Sequence, residues 1–253
     1  MEYKLKFLEG CKEFVKEELV KKFPNIKIVK ECSDSIVFIS DVKDMDEFRI
    51  LGSGLSITDI DKKNINLARR KWRKSFVAAG IDPSLAYIMC KIGAVGKNSI
   101  ILDPFCGSST IGIIAIKEFF AKRVICLDIS GKAIKASKEN FELADIDSSK
   151  YILFESDVCK VRLNKQNVDL IISNLPFGIR VGNHDENVRS YKCLEELARK
   201  VLRRKGQLIL LTQEKKLLRE VFTKDFWSVK SVLKVNEGGL LPEVFVIERI
   251  EVV

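Results

Sequence analysis

The chain has 253 residues, of which 46% are hydrophobic and 31% charged, a balance that excludes disorder and suffices for a sizeable buried core in one or two domains. No apolar run approaches the roughly 18–20 residues of a membrane span, and the N-terminus lacks a signal-peptide pattern, so a cytoplasmic protein is expected. The net charge of +9 favours a polyanionic partner, most often nucleic acid.

Residues 1–58 read as a small β-α-β-β unit of α+β type. Tyr3, Leu5 and Phe7 alternate like a strand. Cys11, Val15, Leu19 and Phe23 recur every four residues, which marks an amphipathic helix ending before Pro24. Two short strands follow at 26–28 and 36–38. A unit this small is expected to pack on its neighbour.

Residues 59–80 read as a basic linker. Lys62, Lys63, Arg69, Arg70, Lys71, Arg73 and Lys74 crowd around Trp72, the one aromatic anchor. Within it, Arg69, Arg70, Lys71, Arg73 and Lys74 are the candidate RNA-binding residues, a phosphate-contacting strip. Neutralising Arg70, Lys71 and Arg73 is expected to weaken RNA binding.

Residues 81–253 alternate helix and strand. Asp82-Pro83 is a helix start, an N-cap followed by proline in the first turn. The apolar run 100–102 ends in Asp103-Pro-Phe-Cys-Gly107, and Thr110 opens an apolar helix. Strands at 123–127, 151–156 and 168–173 end in Asp128, Asp157 and Asn174-Leu-Pro-Phe-Gly178. Tyr191, Leu194, Ala198 and Val201 share the inner face of a helix expected to stop at Gly206. Residues 207–212 form another strand and 217–222 another helix. The strands 229–235 and 244–250 flank Gly238-Gly239 as a hairpin. This alternation implies an α/β fold with a mostly parallel, doubly wound sheet and a C-terminal antiparallel hairpin.

The seven cysteines are scattered with no C-x-x-C pair, so mostly buried reduced thiols are expected, and a disulfide framework or a zinc site is not. His184, the only histidine, makes His-based triads and metal centres poor readings. It lies in the loop after the Asn174 turn, and no catalytic role is assigned to it.

Ligands of open α/β sheets sit outside the C-terminal strand edge, where Asp103, Asp128, Asp157 and Asn174 converge. Nicotinamide binding lacks its G-x-G-x-x-G fingerprint, and an acid stands where a pyrophosphate would approach; no Gly-Lys-Ser/Thr follows for a phosphate loop. A carboxylate at Asp103 suits a cationic adenosyl cofactor, S-adenosyl-L-methionine. At the Asn174 turn, the side-chain oxygen and the next carbonyl can accept hydrogen bonds from an exocyclic amine, Pro176 stiffens the backbone, and Phe177 offers a stacking face.

These motifs, Asp103-Pro-Phe-Cys-Gly-Ser-Ser-Thr-Ile111 with Asn174-Leu-Pro-Phe-Gly178, resemble those of the THUMP-associated RNA methyltransferases, most closely the tRNA guanine-N2 group. The resemblance implies a Rossmann-like class I methyltransferase with a seven-stranded sheet, acting on a tRNA guanosine. By that resemblance Asp103, Phe105, Gly107, Ser109 and Thr110 form the methionine-side loop. Asp128 binds the ribose, Asp157 and Val158 face the adenine, and Asn174, Leu175, Pro176 and Phe177 hold the target base.

The sequence departs from the family pattern in two places. Ser109 stands where glycine is usual, which is expected to be tolerable if φ there is negative. Residues 1–50 resemble only the start of the family's N-terminal region, so the THUMP module is expected to be missing and a protein partner could supply RNA recognition. Rival readings are an adenine-N6 or cytosine-N4 nucleic-acid methyltransferase, and an RNA-binding module or inactive paralogue.

Overall fold

In β1 (Glu2–Lys6), Tyr3 and Leu5 are buried while Glu2, Lys4 and Lys6 face water, the period-2 pattern of a half-buried strand. The computed structural model describes residues 1–75, 80–164, 167–177, 184–237 and 239–250. Gly178 and Gly238, singled out above, lie outside the described residues.

Helix α1 (Lys12–Lys22) turns Val15 and Leu19 inward, and β2 (Lys27–Glu31) and β3 (Ser35–Ile39) follow as expected. The N-terminal sheet does not stop there. Strands β4 (Ser56–Asp59) and β5 (Asn64–Asn66) extend it to the antiparallel order β2-β3-β1-β4-β5. The first part of the stretch read as a linker is therefore a hairpin. Its turn is held by Asp59, whose carboxylate accepts the Lys63 amide at 2.8 Å. β5 has one buried residue, Ile65, so hydrophobic patterning could not reveal it.

The larger unit runs α2 (Pro83–Ile92), β6 (Ile100–Asp103), α3 (Thr110–Phe119), β7 (Arg123–Asp128), α4 (Gly131–Leu143), β8 (Tyr151–Glu155), β9 (Val168–Asn174), α5 (His184–Val201), β10 (Leu202–Thr212), α6 (Lys215–Val221), β11 (Trp227–Lys234) and β12 (Glu243–Arg249). The expected cap of α2 is present, Asp82 accepting the Ser84 amide at 2.7 Å. The seven strands lie in the order β11-β12-β10-β9-β6-β7-β8. The run from β10 to β8 is parallel, and β12 is antiparallel to both of its neighbours.

Alternate residues of the central strands feed two cores. Ile101, Leu170, Ile172, Ile209 and Leu211 join the core that runs on through the N-terminal unit to Leu5 and Phe38. Leu102, Ile171, Leu208 and Leu210 join the core under α5 and α6. The small unit thus packs on the large one, as its size requires. Its buried carboxylate, Glu18, helps hold it. Glu18 accepts the Gly52 and Ser53 amides at 2.9 Å each, the Ser53 hydroxyl, and Lys22 at 2.6 Å. Burial pushes its pKa up, but these donors outweigh burial and the net shift is downward. Glu18→Gln keeps the shape but loses the charge, and should lower unfolding stability by about 2 kcal/mol at pH 7 in denaturant titration.

One expectation needs correction. α5 ends at Val201, and β10 runs through Gly206 with a register shift between Leu202 and Gln207. A Cβ at Gly206 would lie 2.9 Å from the Asp169 carbonyl, so this glycine permits a bulge instead of stopping a helix. Arg203, Arg204 and Lys205 are consequently strand residues. The cysteines are not all reduced: Cys159 and Cys193 form a disulfide with Cα atoms 4.9 Å apart, joining the turn after β8 to α5. Their separation of 34 residues hid the pair. Among the described residues no helix is long and apolar enough to cross a membrane.

Candidate active site

Strand order reverses at β6, which pairs with β7 on one side and β9 on the other. The crevice at such a reversal is where ligands of open sheets bind. The two facing strand ends are joined there by a hydrogen bond from Ser173 Oγ to Asp103 Oδ1, at 2.6 Å. The Phe105 amide also donates to Asp103, at 3.3 Å. Asp103 is only 2% exposed. Burial pushes its pKa up to about 7, the nearby Asp128 charge adds to the rise, and the Ser173 and Phe105 hydrogen bonds oppose it. The result is an acid poised between neutral and charged forms at the centre of the sheet edge.

The loop after Asp103 is fastened to the next strand. The Cys106 amide donates to the Leu127 carbonyl at 2.8 Å, and the Gly107 amide to Asp128 Oδ2 at 2.9 Å. Asp128 also caps its own turn through the Ser130 amide, at 2.9 Å. Burial raises its pKa while those two amides oppose the rise.

Gly107 and Ser109 have φ of +54° and +58°. The negative φ that would have made Ser109 free of strain is not what the backbone takes: a side chain sits in the left-handed region, where it costs roughly 1–2 kcal/mol. The neighbouring helix offsets that strain. Ser109 Oγ donates to Ser137 Oγ at 2.8 Å, and Ser137 donates to the Gly107 carbonyl at 2.8 Å, so α4 holds both ends of the turn. Ser109 and Thr110 are buried, and Thr110 Oγ1 has no hydrogen-bond partner among the described residues. What this loop presents outward is mainly backbone and Phe105, which is half-buried.

At the end of β8, Asp157 accepts the Cys159 amide at 2.9 Å and Arg189 Nη2 at 2.8 Å. Burial pushes its pKa up, but these donors outweigh burial and lower it. The Ser156 amide donates to the Asp128 carbonyl at 3.0 Å, which draws the two acidic strand ends together. Val158 is buried in the core beneath α5. Sequence reasoning passed over Ile129, which directly follows Asp128 and is 71% exposed. In the sequence its only mark is a large apolar residue directly after a strand-end acid; the exposure that sets it apart is seen only in the fold.

On the other side of the reversal, Asn174 ends β9 half-buried, and Leu175 is buried with its amide donating to the Leu211 carbonyl at 3.0 Å. The Leu175 side chain therefore anchors the turn. Phe177 is half-buried against the first core. His184 pairs with Glu214 at 3.4 Å on the surface.

The basic strip divides. Arg70 pairs with Glu118 at 3.1 Å and donates to the Leu67 and Gly52 carbonyls. Arg73 donates to the Ile81 carbonyl at 2.9 Å, burial lowering its pKa. Trp72 is buried and faces the core. Arg70 and Arg73 are thus engaged within the fold, and Trp72 packs inward, which leaves the outer residues of the strip to face solvent. Arg69, Lys71 and Lys74 are exposed, and the backbone around Lys74 is pinned to α4 by Asn140, whose Oδ1 accepts the Lys74 and Ser75 amides at 3.2 and 3.1 Å.

Comparison with known proteins fits this arrangement. The chain is 27% identical over 213 residues to the tRNA (guanine(6)-N(2))-methyltransferase THUMP3 of Bos taurus, covering 79% of this chain and 40% of the relative. It is 24% identical to the tRNA (guanine(6)-N2)-methyltransferase of Methanocaldococcus jannaschii, covering 72% of this chain and 57% of that one. The chain thus spans about half the length of these curated relatives, or less. Its fold is that of the crystal structure of TrmN from Thermus thermophilus, with a TM-score of 0.84 at 16% identity, covering 98% of this chain and 99% of that one. A family model described as RMKL-like, methyltransferase domain (UPF0020) matches residues 70–243, from Arg70 in the basic strip to the first residue of β12. With the sheet reversal, the buried acid and the Asn174 turn all inside that span, the chain belongs to the RMKL-like methyltransferase domain family.

Proposed function

We propose that this chain transfers a methyl group from S-adenosyl-L-methionine to the N2 amine of a guanosine in RNA, with tRNA as the substrate class. The observation that carries the reading is the 2.6 Å hydrogen bond from Ser173 to Asp103, since it sets a buried acid next to the Asn174 turn. The two relatives named above, both acting on guanine N2 in tRNA, support the choice of acceptor.

The residues fit the cofactor. Asp103, buried and half-charged near neutrality, suits the cationic methionine end, and the Phe105–Thr110 loop offers backbone for close approach. Asp128 retains acceptor capacity for ribose hydroxyls. Asp157 and the Val158 backbone would meet the adenine edge, with Ile129 covering an adenine face. When bound, S-adenosyl-L-methionine supplies an electrophilic methyl on its sulfonium.

Everything else is positioning by this chain. Asn174 and the following carbonyl accept from the amine, and Phe177 stacks on the base. Alignment of this kind can lower a barrier by roughly 7–11 kcal/mol, so no strong base is required. A paired guanine must leave its helix to reach this turn.

The test is to incubate the protein with RNA and methyl-labelled cofactor and to analyse the nucleosides. N2-methylguanosine is expected; N6-methyladenosine or N4-methylcytidine would overturn the acceptor, and absent cofactor binding by calorimetry would favour the non-catalytic RNA-binding reading. The phosphate strip has its own test. Replacing Arg69, Lys71 and Lys74 with Gln should weaken RNA binding and reduce the slope of log affinity against log salt by about 1 per lost contact. An unchanged slope would assign the three to ordinary solvated surface. Arg70→Ala or Arg73→Ala should instead lower the melting temperature.

A further inference from the structure

We infer that Tyr191 is a positioning residue for methyl transfer, fixing the Asn174–Phe177 turn through a directed hydrogen-bond chain; this rests on the function proposed above. Tyr191 lies on α5 and is fully buried, and its hydroxyl meets the Pro176 carbonyl at 3.0 Å and Thr212 Oγ1 at 2.7 Å. The Glu214 amide donates to the same Thr212 oxygen at 2.9 Å.

Proton counting sets the direction. A carbonyl cannot donate, so the single Tyr191 proton goes to Pro176. Thr212 must then give its proton to Tyr191, and its own oxygen accepts from Glu214. The chain therefore runs Glu214 N–H to Thr212, Thr212 O–H to Tyr191, and Tyr191 O–H to Pro176. Each member polarises the next in a dry setting.

The turn needs this third attachment. Asn174 is held by the ladder between β9 and β10, where it pairs with Leu211. Leu175 is held by its buried side chain and its amide bond to Leu211. Pro176 has no amide hydrogen with which to fasten the Leu175–Pro176 peptide, so the turn is held next at the Pro176 carbonyl, in the plane it shares with the Phe177 amide. That plane leads into Phe177, the ring proposed to stack on the target base. Tyr191 thus sets where the ring lies relative to the Asn174 amide. A misplacement of about 1 Å there can cost about a hundredfold in rate.

Tyr191→Phe keeps the ring packing and removes the hydroxyl. Its kcat should fall about tenfold or more, with KM for RNA and cofactor affinity unchanged within about twofold. Thr212→Val should lower kcat in the same direction but less, Thr212→Ser should restore it, and Tyr191→Phe with Thr212→Val should be no worse than Tyr191→Phe alone. Amide hydrogen exchange gives a readout independent of any assay of the reaction. In Tyr191→Phe the amides of Leu175 and Phe177 should exchange about tenfold faster, with β6 unaffected. Wild-type kcat in an active enzyme, or unchanged exchange at those two amides, would overturn the role. If the wild-type protein transfers no methyl group, the functional reading fails on its own account and the exchange experiment still decides whether Tyr191 holds the turn.

Discussion

Asp103→Asn should weaken binding of S-adenosyl-L-methionine by about a hundredfold and, in the free protein at pH 8, raise the melting temperature by several degrees. Both effects follow from one property. The Asp103 carboxyl is almost completely buried, and its pKa is lifted from 3.8 to about 7, first by burial and then by the charge of Asp128. A folded-state pKa above the unfolded value means that the folded protein binds the proton more tightly. Its contribution to stability is therefore greatest below pH 4, declines as pH rises through about 7, and is level above that. At pH 8 the wild-type protein carries this cost in full, on the order of 2–4 kcal/mol, and the neutral amide does not. The amide oxygen still accepts from Ser173 and Phe105, so the loop keeps its shape. What it lacks is charge for a cationic ligand.

The same reasoning sets the pH profile. Below pH 7 the wild-type carboxyl must release a proton before it can pair with a cation, so affinity should improve up to about tenfold per pH unit toward 7 and then level off. The Asp103→Asn variant should show no such slope. Calorimetry between pH 5.5 and 8.5, with thermal melts of the free proteins, measures both. A variant that binds the cofactor as tightly as wild type, or that melts lower at pH 8, would remove Asp103 from the cationic end of the site.

The contrast between Asp103 and Ser109 shows how much of this site could be read from residues. Acids and an asparagine after apolar runs locate a sheet edge, because a polar residue marks where a buried strand stops pairing on both sides. That these ends share one edge was legible because helix-strand alternation implies a mostly parallel, doubly wound sheet; which strands pair, and that Asp103 meets Ser173, was not. Side-chain direction was not. Ser109 takes a backbone conformation that depends on Ser137, a residue on a different helix. Likewise Arg70 and Arg73 look like a phosphate strip in sequence, yet their partners, Glu118 and the Ile81 carbonyl, appear only when the chain packs. The β4–β5 hairpin escaped notice because one buried isoleucine carries no period, and the Cys159–Cys193 pair because α5 must first fold back over the sheet. Contacts within an element are local and readable; contacts between elements need the fold.

Asn174→Ala should lower kcat for methyl transfer by about 10²–10³-fold while leaving cofactor affinity within about twofold and the melting temperature nearly unchanged. Asn174 ends β9 on the far side of the reversal from the loop proposed to hold the cofactor, so truncating it removes nothing that the cofactor needs. The strand itself is held by its ladder to β10, and Leu175 still anchors the turn through its core packing and the Leu211 carbonyl. What disappears is the acceptor that orients the amine. The lone pair of an exocyclic amine is delocalised into its ring, so the nitrogen becomes nucleophilic only when its hydrogens are drawn out of the ring plane and the lone pair is turned toward the methyl. An amide oxygen at a rigid strand end does that better as the bond forms than before, which is why the loss should fall on kcat and not on KM. Single-turnover kinetics, cofactor calorimetry and thermal melts of the same preparation separate the possibilities. A parallel loss of cofactor affinity would move Asn174 to the cofactor side of the crevice, and full activity would remove it from the chemistry.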